Sequence, residues 1–271
     1  DNLFGNGHRV NLTASLSSIR TNFNLNFTEP RLFDSEISAG FDAFNQRQDY
    51  LSFNTKSSGT GFRIGKNITE YESLNLGYRF ANVEVTGVSD SDTTDIFKNE
   101  TRITSRLSPT YVYDSRDNFL NPSKGWRHVV GFEFAGLGGA KFTRSNFETT
   151  YYHPLIGKLV GAAHARVNFA EGYGGETLPS FERYFMGGPT SLRGFTIQNI
   201  GPKDTNGNPV GGSKALILNL ETQYPFTKSL RGFLFYDRGN VYGSGPDVSS
   251  TTKNFDLGEM RNSVGAGIRF I

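Results

Sequence analysis

The sequence predicts an all-β chain, a transmembrane antiparallel β-barrel of about 13 strands. Three observations carry this. Apolar residues recur at every second position in segment after segment, the period of a strand with two unlike faces. The opposite faces are Asn, Ser, Arg, Asp and Gly, so there is no second apolar face from which to build a sandwich core. Phe and Tyr dominate the aromatics, 24 and 12 against one Trp, a composition suited to strands and interfacial girdles rather than helices. A mean hydropathy of −0.44 would ordinarily suggest a water-soluble protein. In a barrel, however, only alternate residues meet lipid, so no run of 18 apolar residues is required.

Taken in order, Val10, Leu12, Ala14 and Leu16 alternate with Asn11, Thr13, Ser15 and Ser17, and Phe23, Leu25 and Phe27 alternate with Asn22, Asn24 and Asn26. These two segments read as a hairpin with one apolar and one polar face. A tight turn over Glu29 to Asp34 precedes Ile37, Ala39, Phe41 and Ala43, which oppose Ser38, Gly40 and Asp42. Phe62 and Ile64 flank Arg63, and Leu74, Leu76, Tyr78 and Phe80 oppose Asn75, Gly77 and Arg79. After Phe80 the apolar parity moves to Val83 and Val85, which reads as a bulge or an exit from the membrane band. A polar acidic loop follows from Ser89 to Asp95.

The next strand spans about Arg102 to Asp114 and contains Pro109, an awkward residue for a paired strand. Trp126, Val130, Phe132 and Phe134 then oppose Arg127, Gly131 and Glu133, and a strand from Phe142 to His153 closes at Pro154. Leu159, Ala163, Ala165, Val167 and Phe169 against His164, Arg166 and Asn168 give the cleanest alternation. Leu216, Leu218, Leu220 and Tyr224 oppose Asn219, Glu221 and Gln223. Leu230, Leu234 and Tyr236 oppose Arg231, Phe233, Phe235 and Asp237, and Val264, Ala266, Ile268 and Phe270 oppose Ser263, Gly265, Gly267 and Arg269. By this parity Glu221 and Asp237 point away from lipid.

Met186 to Phe195 stands apart. Gly187 and Gly188 end a strand, Pro189 forbids its continuation, and Leu192-Arg193-Gly194-Phe195 presents a guanidinium whose five donors need acceptors unless the loop lies in bulk water. Taken alone, an Arg-Gly pair more often marks an arginine on a solvated turn.

Other chemistry is largely excluded. With no cysteine there is neither a disulfide framework nor a thiolate metal site. His8, His128, His153 and His164 sit on separate segments without metal-ligand spacing and read as wall residues. Gly136 to Lys141 lacks the ending of a phosphate loop and reads as a hairpin tip. No nucleophile elbow occurs, and Asp114, Asp117 and Asn118 lack the closing Glu of a calcium loop, so turn capping is their role. A net charge of +2 spread without a basic stripe argues against nucleic acid. The sequence calls for no cofactor and no catalytic residue. Asp1 to Gly5 has neither the charged nor the apolar region of a signal peptide.

Gly187 to Phe195 resembles the Val/Leu-Arg-Gly-Phe/Tyr signature of the outer-membrane assembly and secretion superfamily, whose members join POTRA domains to a barrel. Phe235 to Tyr242 resembles that family's Phe-x-Asp-x-Gly strand, and Asn219-Leu220-Glu221 its preceding acidic strand. Tyr113 to Arg127, with Asp114, Arg116, Asp117, Pro122, Gly125 and Trp126, is similar to its Asp-x-Arg-Asp…Pro-x-x-Gly-Trp-Arg turn. Asp1 to Gly7 is similar to the opening after the first barrel strand in the insertase branch.

The resemblance covers essentially the whole chain, so residues 1–271 are expected to form one partial transmembrane barrel domain of a sixteen-stranded family barrel. The chain would begin at strand two and stop at strand fourteen, without POTRA domains. The resemblance also implies a loop, at about 188–212, that folds into the lumen, where Leu192, Arg193, Gly194 and Phe195 lock onto Glu221, Phe235 and Asp237. It implies an integral protein of the bacterial outer membrane whose partners are outer-membrane lipids, unfolded outer-membrane clients and accessory lipoproteins. The expected activity is insertion and folding of barrel proteins without nucleotide; the alternative is translocation of unfolded polypeptide. A passive porin is disfavoured by the arginine signature and by the lack of an acidic constriction motif.

Overall fold

In the computed structural model, residues 7–88, 97–227, 229–243 and 255–270 are described. The stretches Asp1 to Asn6 and Ser89 to Asp95, which carry two of the sequence readings, lie outside them.

Twelve strands form among the described residues: β1 (Arg9–Leu16), β2 (Arg20–Glu29), β3 (Ile37–Asp49), β4 (Asn54–Asn67), β5 (Glu72–Thr86), β6 (Glu100–Asp114), β7 (Gly125–Ala135), β8 (Phe142–Pro154), β9 (Val160–Gly172), β10 (Lys214–Pro225), β11 (Leu230–Tyr242) and β12 (Arg261–Phe270). They make one sheet in chain order, each pair antiparallel, as expected when every connection is a hairpin. The stretch 173–213, long enough for a further strand, makes only isolated bridges such as Met186 to Ile200 and Tyr184 to Gly212. Gly187 and Gly188 therefore do not end a strand, as the sequence suggested; both hold positive φ inside a loop.

The hairpin connections at one end, 30–36, 68–71, 115–124, 155–159 and 226–229, are short. The connections at the other end include the 173–213 excursion. That excursion touches β3, β5, β6, β8, β10 and β11 from a single face of the sheet, so the sheet curls around it. The opposite face is an apolar belt, with Phe23, Leu25, Phe62, Leu76, Phe80, Trp126, Phe132, Leu218, Leu220, Leu234, Val264 and Ile268 all exposed. An antiparallel wall can carry such a face only where it meets lipid or another apolar phase.

A further expectation is corrected. No bulge follows Phe80: β5 stays in unbroken register with β4 and β6 through Val85. The parity shift is a change in what the inner face meets, since Ala81, Val83 and Val85 are buried against Phe44, Phe53, Phe97, Phe181 and Val210. The inner face is thus polar along most of the wall but apolar where the excursion packs on it. Pro109 is accommodated because the β6–β7 ladder passes from Leu107 to Thr110 without pairing Ser108 or Pro109, so the missing N–H leaves no broken bond.

Candidate functional site: the arginine loop and its seat on the wall

The loop is built to drop one side chain onto the wall. Gly187, at φ 117°, faces the Thr196 carbonyl so closely that a Cβ would lie 2.2 Å from it, which only glycine avoids. Ser191 N donates to Gly188 O (3.2 Å) and Gly188 N to Leu192 O (3.1 Å), while Gly187 N reaches Ser191 Oγ (3.0 Å). The compact turn drives Leu192 into a buried cluster with Met186, Ile200, Ala215, Ile217 and Val241, and Phe195 packs on its edge. Gly194 adopts φ 82° beside Ser263 of β12. Burial of Leu192 sets the depth of the loop, and Arg193 follows one position later.

Arg193 binds two strands at once. Its Nε and one terminal nitrogen donate to the two oxygens of Asp237 on β11 at 2.7 and 2.5 Å, and the other terminal nitrogen donates to Glu221 Oε1 on β10 at 2.5 Å. This fork-to-carboxylate geometry is specific to guanidinium. The main-chain N–H of Arg193 adds a bond to Asp237 (3.1 Å), and Asn219 donates to the same carboxylate (2.8 Å) and to Ser191 O (3.2 Å). The guanidinium lies 3.8 Å from the Phe235 ring centre, within cation–π range. The Asp237 side chain is fully buried and that of Glu221 is 13% exposed. All seven residues singled out in the sequence for this contact, Leu192, Arg193, Gly194, Phe195, Glu221, Phe235 and Asp237, therefore lie in or against one seat.

A second anchor escaped the sequence reading. The excursion starts after Gly172, well before residue 188, and its 3-10 turn Ser180–Glu182 is itself packed on the wall. Glu182, only 3% exposed, accepts from Arg106 of β6 (2.7 Å) and Arg144 of β8 (2.9 Å). Next to it, Arg183 donates to the Val210 and Gly211 carbonyls at 2.7 and 2.9 Å, and burial pushes its pKa down to about 10. Arg106 also donates to Glu133 of the wall (3.0 Å), so no pattern in the sequence singled out Glu182 as its second partner.

The turn residues gather at the short-turn end, away from the loop's entrance. Arg116 forks onto Asp114 (2.8 and 2.6 Å). Asp117 accepts from the main chain of Ser123 and Lys124 at 2.8 and 3.1 Å. Burial would raise the Asp117 pKa, but these donors and the Ser123 hydroxyl outweigh it and hold the carboxyl below its ordinary range. Pro122 is buried, Gly125 has φ 109° beside the Ser115 carbonyl, and Trp126 faces outward, stacked 4.1 Å from Tyr151. Among the histidines, His128 stacks on Trp126, whereas His164 points inward and meets Asn219 (2.7 Å). Among the described residues no group of three His, Asp or Glu could hold a metal ion.

The chain as a whole, a sheet of sequential antiparallel strands, is matched in known proteins. A barrel-segment relative, the outer membrane protein assembly factor BamA of Nitratidesulfovibrio vulgaris, is 31% identical over 99% of this chain and 34% of its own length. The sorting and assembly machinery component 50 homolog of Homo sapiens is 27% identical over 98% of this chain and 60% of its own. The crystal structure of BamA from Haemophilus ducreyi lacking POTRA domains 1–3 superposes with a TM-score of 0.87 at 22% identity, over 100% of this chain and 59% of that one. The chain thus spans about a third of the bacterial relative's length. With the model of the Omp85 superfamily domain matching residues 2–271, the chain belongs to the Omp85 superfamily.

Proposed function

We propose that this chain is the membrane-embedded part of an outer-membrane assembly factor that inserts and folds β-barrel proteins, and that it does so without nucleotide and without a catalytic residue. The observation that supports this most is the excursion anchored at two places on the inner face. Glu182 holds it on β6 and β8 and Arg193 holds it on β10 and β11, so the working surface is the wall and its lipid face. A strand entering a bilayer must pair its N–H and C=O groups or lose several kcal/mol for each. A protein that offers strand edges and a perturbed lipid boundary lowers that cost, and the chemistry required is hydrogen bonding alone. Partners of this reading are outer-membrane lipids, unfolded barrel clients and accessory lipoproteins. The Leu192 to Phe195 loop seated on Glu221, Phe235 and Asp237 serves as the lock that keeps the wall in one shape. Passage of an unfolded polypeptide through the interior, the alternative, would require both anchors to release.

The test is reconstitution of the full-length protein in lipid vesicles and timing of client-barrel folding from urea. Faster client folding than in protein-free vesicles, reduced by Arg193→Ala, is the expected result. Client folding no faster than in protein-free vesicles would overturn the proposal, and transport of polypeptide into the vesicle without insertion would favour the translocator.

A further inference from the structure

The loop and the short-turn signature, read from the sequence as separate motifs, are joined through the wall by buried polar side chains. Arg231 of β11 is 5% exposed and Gln223 of β10 is 4% exposed. They are diagonal neighbours across the β10–β11 ladder, close enough for long side chains to meet. Arg231 donates to Gln223 Oε1 (2.7 Å) and to the main-chain carbonyls of Pro122 (3.3 Å) and Asn121 (3.5 Å) in the 115–124 turn. Gln223 passes the connection on, its Nε2 donating to Glu221 Oε2 (2.8 Å), and Glu221 Oε1 accepts from Arg193. A parallel route leaves the same turn region through Arg127 to Glu148 (3.3 Å). Glu148 faces His164 at 3.7 Å, and His164 bonds Asn219, which bonds Asp237.

The three acceptors of Arg231 are neutral. A buried guanidinium held by neutral oxygens depends on each of them, because losing one leaves a charge short of its solvation. Two of the three belong to the turn, whose shape is set by Asp117 capping Ser123 and Lys124 and by Asn118 Oδ1 accepting from Leu120 N and Asn121 N. If the turn shifts, Arg231 must follow it or pull on Gln223, and Gln223 is one of the bonds that orient Glu221.

We propose that Arg231 is a positioning residue that ties the 115–124 turn to the Arg193 seat, so that displacing the turn at one end of the wall loosens the loop that enters from the other. The inference rests on the reading of that seat as a lock. It assigns the turn a role as the surface through which anything docking at the short-turn end would act on the loop.

The experiment is hydrogen exchange of the full-length protein in lipid nanodiscs, followed on peptides covering 186–196, 115–124 and, as a control, 136–141. Arg231→Met is expected to speed exchange of the loop about tenfold and to leave 136–141 unchanged. In an Arg193→Ala background it is expected to add nothing, because the path already ends there. Gln223→Leu interrupts the same path without touching the turn and reads the proposal independently if Arg231→Met fails to fold. Unchanged loop exchange in the folded variants, or a full additive effect in the Arg193→Ala background, overturns the coupling. If Arg193→Ala itself leaves the loop as protected as in the parent, the lock reading fails instead, and the coupling with it.

Discussion

Arg193→Ala separates the loop from the wall without touching a ladder hydrogen bond, and its cost can be worked from the seat. Asp237 accepts four hydrogen bonds, two from the Arg193 side chain, one from the Arg193 main chain and one from Asn219. The substitution removes the first two and leaves a fully buried carboxylate with two neutral donors. Glu221 loses its shortest bond but keeps Gln223 and, at 3.4 Å, Arg269. Breaking a buried pair costs about 3–5 kcal/mol; the retained donors and the 18% exposure of the Arg193 side chain place this case near the lower end. A loss of about 3 kcal/mol raises the population of the released loop about a hundredfold. Limited proteolysis of the folded protein at 186–200 should therefore accelerate, while heat-induced unfolding of the barrel, governed by the strand ladders, stays close to the parent. Arg193→Lys should fall in between, since an ammonium cannot fork. Equal loop cleavage in Arg193→Ala and parent would refute the reasoning.

Leu218→Arg and Ala165→Arg, cross-strand partners on the outer face, should each cost roughly 2–4 kcal/mol in a bilayer, measured by urea titration of folding into vesicles; unchanged stability would deny that this face meets lipid. Glu182→Gln should cost about 3 kcal/mol by taking the buried counter-charge from Arg144 and leaving Arg106 with Glu133 alone, seen as faster exchange at 178–186. Gly125→Ala should cost about 1–3 kcal/mol, because a Cβ would lie 2.4 Å from the Ser115 carbonyl at φ 109°; exchange in the 115–124 turn reports it. The Asp117 carboxyl is held below its ordinary range, so its contribution to the turn is complete above the usual carboxylate pKa and lost as pH falls through the lower folded value. Exchange in 115–124, corrected for intrinsic rate, should rise in that acidic window and not at neutral pH, and Asp117→Asn should abolish the dependence.

Much of this protein is legible from period and parity. A side chain in a strand has only two directions, so the alternation of Leu216, Leu218 and Leu220 with Asn219 and Glu221 already states which residues meet lipid and which face inward. Parity likewise puts Asp237 on the inner face, and glycine chemistry marks Gly187 to Gly194 as a loop. Which inward groups meet is a different kind of information. Arg193 and Asp237 are 44 positions apart, and their contact depends on how the sheet curls and how deep Leu192 sinks. The burial of Glu182 was invisible for the same reason, because its partners Arg106 and Arg144 lie on strands whose spacing around the curve no linear pattern encodes. The change of the inner face from polar to apolar at Ala81, Val83 and Val85 reads as an irregularity in one strand until the excursion that covers it is placed. Local sterics and periodicity are properties of a few consecutive residues, so the sequence alone determines the strands, their two faces and the loop. Closure of distant charges and apolar surface depends on the curvature of the whole sheet, and only the tertiary structure decided that the loop is anchored twice and that its seat is continuous with the 115–124 turn.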